Sequence, residues 1–412
     1  MTIHITAATS IFQPSGDAFF VVTPDTLIVD SDAFLISQDN GQGASLSGGA
    51  WSATINGQVA AFGLGADGIF INASVAEVST FTIGKTGDVF GNHAGLGCAG
   101  SLTLTNFGTL AGAFSLLVNG VANITNAGTL IGDVVFLNQA DSFTNFKRVG
   151  DVIKNGSVFG VIDLWGGNDT FKGGANSETV RDSGGSDSYN LGGGNDTFLA
   201  LHAAGASADA ADTVNGGTGI DTYDASGAVN NIGIRLDLGS TNSVNGGTDT
   251  IIGFENAMGG AGSDTIYGSS GANTLIGGSG TDELRGLGGR DILTGDNASN
   301  TGGGTDNFLF LKLSDSGTKA ASRDLITDFE EGSDIIVLTA IDANTKLAGD
   351  QAFHLTAKGG FGGFTGSQGE LRFRFTDGGN TLITGDVNGD GVADFSIALK
   401  GHHLLHDFDF NL

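Results

Sequence analysis

The sequence predicts an all-β fold: a parallel β-solenoid or β-roll with a C-terminal β cap. Three observations predict it. A glycine-rich nonapeptide with one acidic residue recurs in phase through the middle of the chain. A looser repeat, offset by 20 residues from Asn106 to Asn126, precedes it. Gly supplies 72 of the 412 residues and Pro only 2, which suits tight corners and excludes collagen and Pro-rich linkers. Self-similarity at short fixed periods is the signature of stacked coils. Three segments follow: a β-rich domain over 1–155 that reads as a solenoid, a β-roll over 156–310, and a cap over 311–412.

The N-terminal segment reads Leu104-Thr-Asn106-Phe-Gly108-Thr-Leu110, then Ile124-Thr-Asn126-Ala-Gly128-Thr-Leu130. Alternation between tight corners fits short strands, and no helical periodicity with caps appears. Asp88-Val-Phe-Gly91 and Ser142-Phe-Thr-Asn145 read as degenerate copies on either side. A β-sandwich or meander stays open as the alternative. Solenoid ends expose strand edges, so 1–30 and 310–412 are the candidate caps, or the places where copies join.

The nonapeptides place acidic residues nine apart at Asp169, Glu178, Asp187 and Asp196, again at Asp212 and Asp221, and again at Asp264, Asp282 and Asp291, with Asn273 in phase. Gly302-Gly-Gly-Thr-Asp306 closes the block. Glycines permit the left-handed backbone that brings carbonyls together. The apolar residue two places after each Asp points into a narrow core. Two nonapeptides make one coil, so Asp169 stacks over Asp187, Glu178 over Asp196, Asp264 over Asp282, and Asn273 over Asp291. Stacked carboxylates repel without a counter-ion. Ca²⁺ takes six to eight oxygens in loose geometry and suits them better than Mg²⁺.

These segments resemble the hemolysin-type calcium-binding (RTX) repeats, with Glu178 and Asn273 departing from the consensus Asp. Ile234-Arg-Leu-Asp237-Leu and Gly247-Thr-Asp249-Thr-Ile-Ile-Gly-Phe-Glu255-Asn256 resemble the lead into such rolls in the C-terminal region of the serralysin family. The resemblance adds Asp249 to the candidate ligands. Arg323-Asp324-Leu-Ile-Thr-Asp328-Phe and Gly332-Ser-Asp334-Ile-Ile are similar to that family too. So is Gly385-Asp386-Val-Asn388-Gly-Asp390-Gly391-Val-Ala-Asp394-Phe395. In this last run Asp386, Asn388 and Asp390 match the first half of an EF-hand loop, with Asp394 at the ninth position. Ile397 stands where the bidentate Glu belongs. A calcium loop and a polar hairpin turn both remain open. In RTX relatives a signal for type I secretion lies near the chain end, which implies an exporter as partner and an extracellular location. It also accounts for the lack of a Sec-type signal over Met1–Phe20.

Composition narrows the function. With 17 basic and 45 acidic residues the net charge is −28, which argues against nucleic-acid partners and anionic membranes. No apolar run approaches the ~20 residues of a span, so membrane insertion is not expected. Cys98 alone can make neither an intrachain disulfide nor a Cys-based zinc site. The histidines (His4, His93, His202, His354, His402, His403 and His406) contain no His-Glu-x-x-His pair, and Gly-x-Ser-x-Gly is absent. His402, His403 and His406 read as surface residues. The expectation is therefore a non-enzymatic, secreted Ca²⁺ protein of a surface layer, matrix or adhesion system, with self-assembly or a cell-surface polysaccharide as partner. The alternatives are a polysaccharide lyase, epimerase or hydrolase, or a glycan- or ice-binding module. For an enzyme the N-terminal bases are limited to Lys85, His4 and His93, and Asp30 and Asp32 share a face only if their run is a strand. For ice, Thr103-Leu-Thr105 is one Thr-x-Thr unit, and no repetition on successive rungs is expected.

Overall fold

Short strands separated by Gly- and Asn-rich corners can bury their alternate side chains only by stacking coil on coil. The computed structural model shows this arrangement. It describes residues 2–412 apart from 24, 183, 201–209, 237–239, 243–248, 297–303 and 357–362. Asp237, His202 and Gly302 therefore lie outside the described residues. The chain divides into two units, Met1–Asp221 and Thr222–Leu412.

The N-terminal unit begins as a three-sided parallel solenoid. Its first face stacks Thr2–Ile5, Thr26–Val29, Ser52–Ile55, Val78–Ile83, Ser101–Asn106, Ala122–Asn126 and Ser142–Thr144. The same column continues through Thr170–Lys172, Ser188–Asn190 and Thr213–Asn215. The second face stacks Ile11–Gln13, Phe34–Ser37, Gln58–Ala61 and Asp88–Gly91. The third stacks Phe19–Val21, Ala44–Ser47, Ile69–Asn72 and Ala94–Cys98. The second and third faces then merge in the long strand Thr109–Val118, which pairs with both predecessors. From there two sides suffice, and Val134, Ile162 and Val180 carry one column from the solenoid into the roll. Leu27, Ile55, Ile83, Leu104, Phe143 and Phe171 line the interior at no more than 1% exposure. Phe143 packs on Phe136 and Phe171, so aromatic rings stack where the coil narrows.

Three expectations are corrected here. Residues 1–30 are not a cap: Thr2–Ile5 is itself a rung, paired in parallel with Thr26–Val29. The coils also do not keep a 20-residue period. Successive first-face partners Ser52, Thr80, Thr103, Asn123 and Ser142 are 28, 23, 20 and 19 residues apart. Corners vary while strands stay in register, so Thr-x-Thr units unrelated by any fixed spacing come to lie one above the other. The sequence expectation that they do not repeat on successive rungs fails for one pair, Thr80-Phe-Thr82 beside Thr103-Leu-Thr105, while the neighbouring rungs read Ser-x-Thr or Asn-x-Thr.

The C-terminal unit has two columns. Gly233–Arg235, Thr265–Ser269, Glu283–Leu287, Asn307–Leu309 and Ile335–Val337 form one, closed by Phe410–Asn411. Thr222–Asp224, Asn256–Met258, Thr274–Gly278, Ile292–Asp296 and Leu325–Ile326 form the other, which ends on Phe395–Lys400. An antiparallel meander of Glu370–Phe375, Asn380–Asp386 and Phe395–Lys400 caps that end. Among the described residues no helix is long and apolar enough to cross a membrane.

Candidate metal centres

Each acidic residue of the nonapeptides sits at the entry of a short strand, and all but Glu178 and Asp212 come just after a glycine turn. The apolar residue two places on enters the core and turns the carboxylate toward the neighbouring coil. The result is a ladder. In the N-terminal unit the backbone N–H of Asp141 donates to Asp169 Oδ1, that of Asp169 to Asp187, and that of Asp187 to Asp212, each at 2.7 Å. On the other side Glu178 N–H donates to Asp196 and Asp196 N–H to Asp221, at 2.7 and 2.8 Å. In the C-terminal unit the N–H of Asp264 donates to Asp282, Asp282 to Asp306, and Asp306 to Asp334, at 2.7, 2.8 and 3.0 Å. A parallel ladder runs from Asn273 through Asp291 to Asp324, both bonds 2.8 Å. Asp249 is buried and accepts the Tyr223 hydroxyl at 3.1 Å.

One oxygen of each ladder Asp is thus committed to the backbone, and Glu178 Oε1 to the Asn145 side chain. The other is the informative one. Glu178 Oε2 and the Oδ2 atoms of Asp141, Asp196, Asp282, Asp291 and Asp324 are buried with no hydrogen-bond partner. A buried ionised oxygen without a partner is among the costliest groups a protein can hold. Burial accordingly pushes the Asp282, Asp291 and Asp306 carboxyls up to about 7 and Asp324 to about 8; the backbone donors to each give partial relief, while Asp291's charge raises Asp324 further. Burial raises Glu178 and Asp196 as well, Glu178 beside the charge of Asp196 and Asp196 beside that of Asp221. The glycines are fitted to these oxygens: a Cβ on Gly277 would fall on Asp282 Oδ2, and one on Gly286 on Asp291 Oδ2. Gly278 and Gly280 hold φ of +122° and +124°, the turn geometry that glycine supplies. Hard oxygens, buried, anionic and short of partners, fit a calcium ion.

The two departures from Asp behave differently. Glu178 Oε1 accepts the Asn145 side-chain amide at 2.7 Å and keeps its second oxygen unpartnered. Asn273 is satisfied by the protein alone: Oδ1 accepts Ser269 N–H at 2.7 Å and Nδ2 donates to the Glu255 carbonyl at 2.8 Å. The loop after Asn380–Asp386 is equally self-contained. Asp386 accepts the N–H groups of Gly389 and Gly391, Asp390 that of Val392, and Asp394 that of Val387 together with the Asn388 amide.

The ladders include residues the nonapeptide pattern does not mark. Asp141, Asp324 and Asp334 extend them, spaced 28, 33 and 28 residues from their partners. The signal was local: Arg323-Asp324-Leu-Ile-Thr repeats Arg290-Asp291-Ile-Leu-Thr without the glycines. An amide ladder also precedes the acidic one. Asn106 Nδ2 donates to Asn126 Oδ1, Asn126 to Asn145, and Asn145 to Glu178, at 2.8, 2.7 and 2.7 Å.

The remaining candidates do not gather into a site. Asp30 follows the strand Thr26–Val29 and bonds His4 at 2.8 Å, while Asp32 lies in the turn beyond, so the two share no strand face. His93 Nδ1 lies 2.7 Å from buried Asp67, and burial raises the Asp67 carboxyl. Of the C-terminal histidines, His403 is not a plain surface residue. Its side chain is 16% exposed, 3.3 Å from Glu331, with its ring edge-on to Phe329.

Comparison with known families finds two matches. The model described as "Peptidase M10 serralysin C terminal" matches residues 201–410. The RTX calcium-binding nonapeptide repeat (4 copies) matches residues 166–198. No curated protein matches. Among solved structures, the chain is similar to the AlgE6R2 subunit of the Azotobacter vinelandii mannuronan C5-epimerase, at 23% identity over 46% of this chain and 91% of that one, with a TM-score of 0.24. The AlgE6R3 subunit of the same enzyme matches at 24% identity over 47% of this chain and 79% of its own, with a TM-score of 0.25.

Proposed function

Because this chain belongs to the Peptidase M10 serralysin C-terminal family and carries RTX calcium-binding repeats, we propose that it is exported by a type I system, folds on extracellular calcium and works outside the cell as a surface-layer, matrix or adhesion component, without catalysis. The observation that supports this most is the unpartnered second oxygen of Asp282, Asp291 and Asp324, repeated rung after rung. At neutral pH these carboxylates oppose folding of their own coils. Bound calcium supplies the positive charge that the ladders lack.

The chain's part is to hold the oxygens in place. Backbone N–H donors orient each carboxylate, the glycine turns leave room beside it, and the apolar residue two places on locks the strand. Binding to the folded form alone stabilises it by RT ln(1 + [L]/Kd) per site. Extracellular modules have dissociation constants of about 10⁻⁴–10⁻³ M, so such sites fill outside a cell and stay empty at cytosolic calcium levels. An unfolded chain suits passage through an exporter. Repeated outer faces suit lateral contact with copies or with a polysaccharide.

The test is static light scattering with circular dichroism on EDTA-stripped protein as Ca²⁺ rises to millimolar levels. The expected result is a gain of β signal together with a mass well above 41.4 kDa, both reversed by EDTA. An unchanged spectrum would overturn calcium-driven folding. A mass that stays at one chain would remove self-assembly and turn attention to glycan binding.

A further inference from the structure

The first face of the N-terminal unit carries a second ordered array, unconnected with the carboxylates. Across five consecutive coils one outward column reads Ser52, Thr80, Thr103, Asn123 and Ser142. Two residues further along each strand a second column reads Thr54, Thr82, Thr105, Thr125 and Thr144. Between the columns Ala53, Phe81, Leu104, Ile124 and Phe143 point inward, at most 3% exposed. A slip of one residue would expose that whole inner row, so the register is fixed. The outer side chains therefore stand in rank and file, about 4.8 Å apart between coils and about 6.7 Å apart along a strand.

The chemistry of the array is narrow. Among the described residues the protein engages none of these ten side chains in a hydrogen bond of its own. None of them is charged, on a chain whose net charge is −28. On the Thr54–Thr144 column basic side chains stand at His4, two coils before Thr54, and at Lys172, one coil beyond Thr144. None of the ten positions holds an aromatic ring; the nearest rings, Phe107 and Phe146, follow Thr105 and Thr144 at the edge of the array, and the Lys147 Nζ lies 4.9 Å over the Phe107 ring. None of the ten positions holds a cationic group for a polyanion or a large apolar side chain for a protein; Lys147 and the exposed Val78 lie at the edges of the array. What the face presents at two fixed repeats is seven Thr, two Ser and one Asn, with hydroxyl beside methyl at the seven threonines. Thr is stiff at χ1, so few rotamers are lost on contact. A rigid, uncharged lattice of hydroxyls and methyls complements a surface that is itself a lattice of hydrogen-bonding oxygens.

The geometry points to an ice crystal surface as the ligand of this face. Water ordered along the threonine file and the mixed Ser, Thr and Asn file beside it would join the growing crystal, the hydroxyls bonding to it and the threonine methyls filling the hollows between. The inference stands apart from the calcium reading, since the array lies on coils that precede the nonapeptides.

The full chain, calcium-loaded, is mixed with a slowly growing ice hemisphere and its partition measured beside an inert control protein; thermal hysteresis is read on the same sample. Enrichment in the ice fraction and a measurable hysteresis are expected. Thr105→Tyr and Thr125→Tyr, which set a bulky ring into the files, should each reduce hysteresis several-fold with an unchanged melting curve. Gln58→Tyr, outward on the second face, should leave it intact. Exclusion of the wild-type protein from ice overturns the inference, and so does equal loss in Gln58→Tyr. Retention on crystalline cellulose or chitin, with exclusion from ice, would overturn it in favour of a polysaccharide surface.

Discussion

Asp282 shows the conflict that each ladder residue embodies. Its Oδ1 is needed by the Asp264 N–H, while its Oδ2 is buried without a partner. Asp282→Asn keeps an acceptor for the backbone and removes the charge. Thermal melts should show the calcium-free variant more stable than the wild type, with a smaller gain on adding calcium. Asp282→Ala loses both functions and should raise the calcium midpoint; an unchanged midpoint would mean that Asp282 is not a ligand. The dependence on pH follows from the same carboxyls. Asp282, Asp291 and Asp306 lie at about 7 in the fold against 3.8 as the ordinary value. Between these values the folded state holds more protons than the unfolded one. Its stability is then fully present at the acid end and is lost as pH rises through about 7. In EDTA the melting temperature should fall from pH 5 to pH 8. In millimolar calcium the trend should reverse, because protons and the cation compete for the same oxygens. A flat profile in EDTA would contradict the burial of these groups as anions.

At the scale of elements, the amide ladder of Asn106, Asn126 and Asn145 does for the solenoid what the carboxylates do for the roll, with no net charge. Asn126 also accepts the Gly128 N–H at its corner. Asn126→Ala would strand the Asn106 donor and the Asn145 acceptor in the core, at a cost of about 2–3 kcal/mol read from denaturant unfolding. A loss under about 0.5 kcal/mol would mean that water replaces the amide. These elements differ in how far the sequence announces them. The nonapeptide ladders were legible because two nine-residue units return each Asp to the same side, and turn chemistry marks each unit. Asn106 and Asn126 were legible as a 20-residue repeat, though not as partners. The threonine files were not legible. Their rungs are separated by corners of unequal length, and nothing in composition says where one coil ends and the next begins. Asp141 and Asp334 escaped for the same reason. The polar loop around Asp386 was legible as half an EF-hand, but a tight hairpin and a calcium loop both need acceptors beside glycines, so its pattern does not separate the two.

At the scale of the whole molecule, carboxylate ladders are confined to part of the chain, and this predicts a partition of stability. Removing calcium should loosen the coils that hold Asp169, Asp187, Asp282 and Asp306, while coils built on Leu27, Ile55 and Leu104 keep their order. Hydrogen exchange in EDTA should show protection lost at Phe171, Tyr189 and Leu284 and retained at Ile83 and Leu104. Uniform loss along the chain would indicate one cooperative unit instead. A last consequence comes from the uneven coils. From Asp169 to Asp187 is 18 residues, from Asp187 to Asp212 is 25, and from Asp141 to Asp169 is 28, yet each ladder bond measures 2.7 Å. The antiparallel hairpin of Phe146–Val149 and Val152–Asn155 hangs from one such corner, and Ile124, Phe143 and Phe171 still align beneath it. Walls are conserved by pairing, whereas corners are free to lengthen. The architecture is thus a display rack, on which new loops can be grafted or lost over evolution while the rungs close underneath them unchanged.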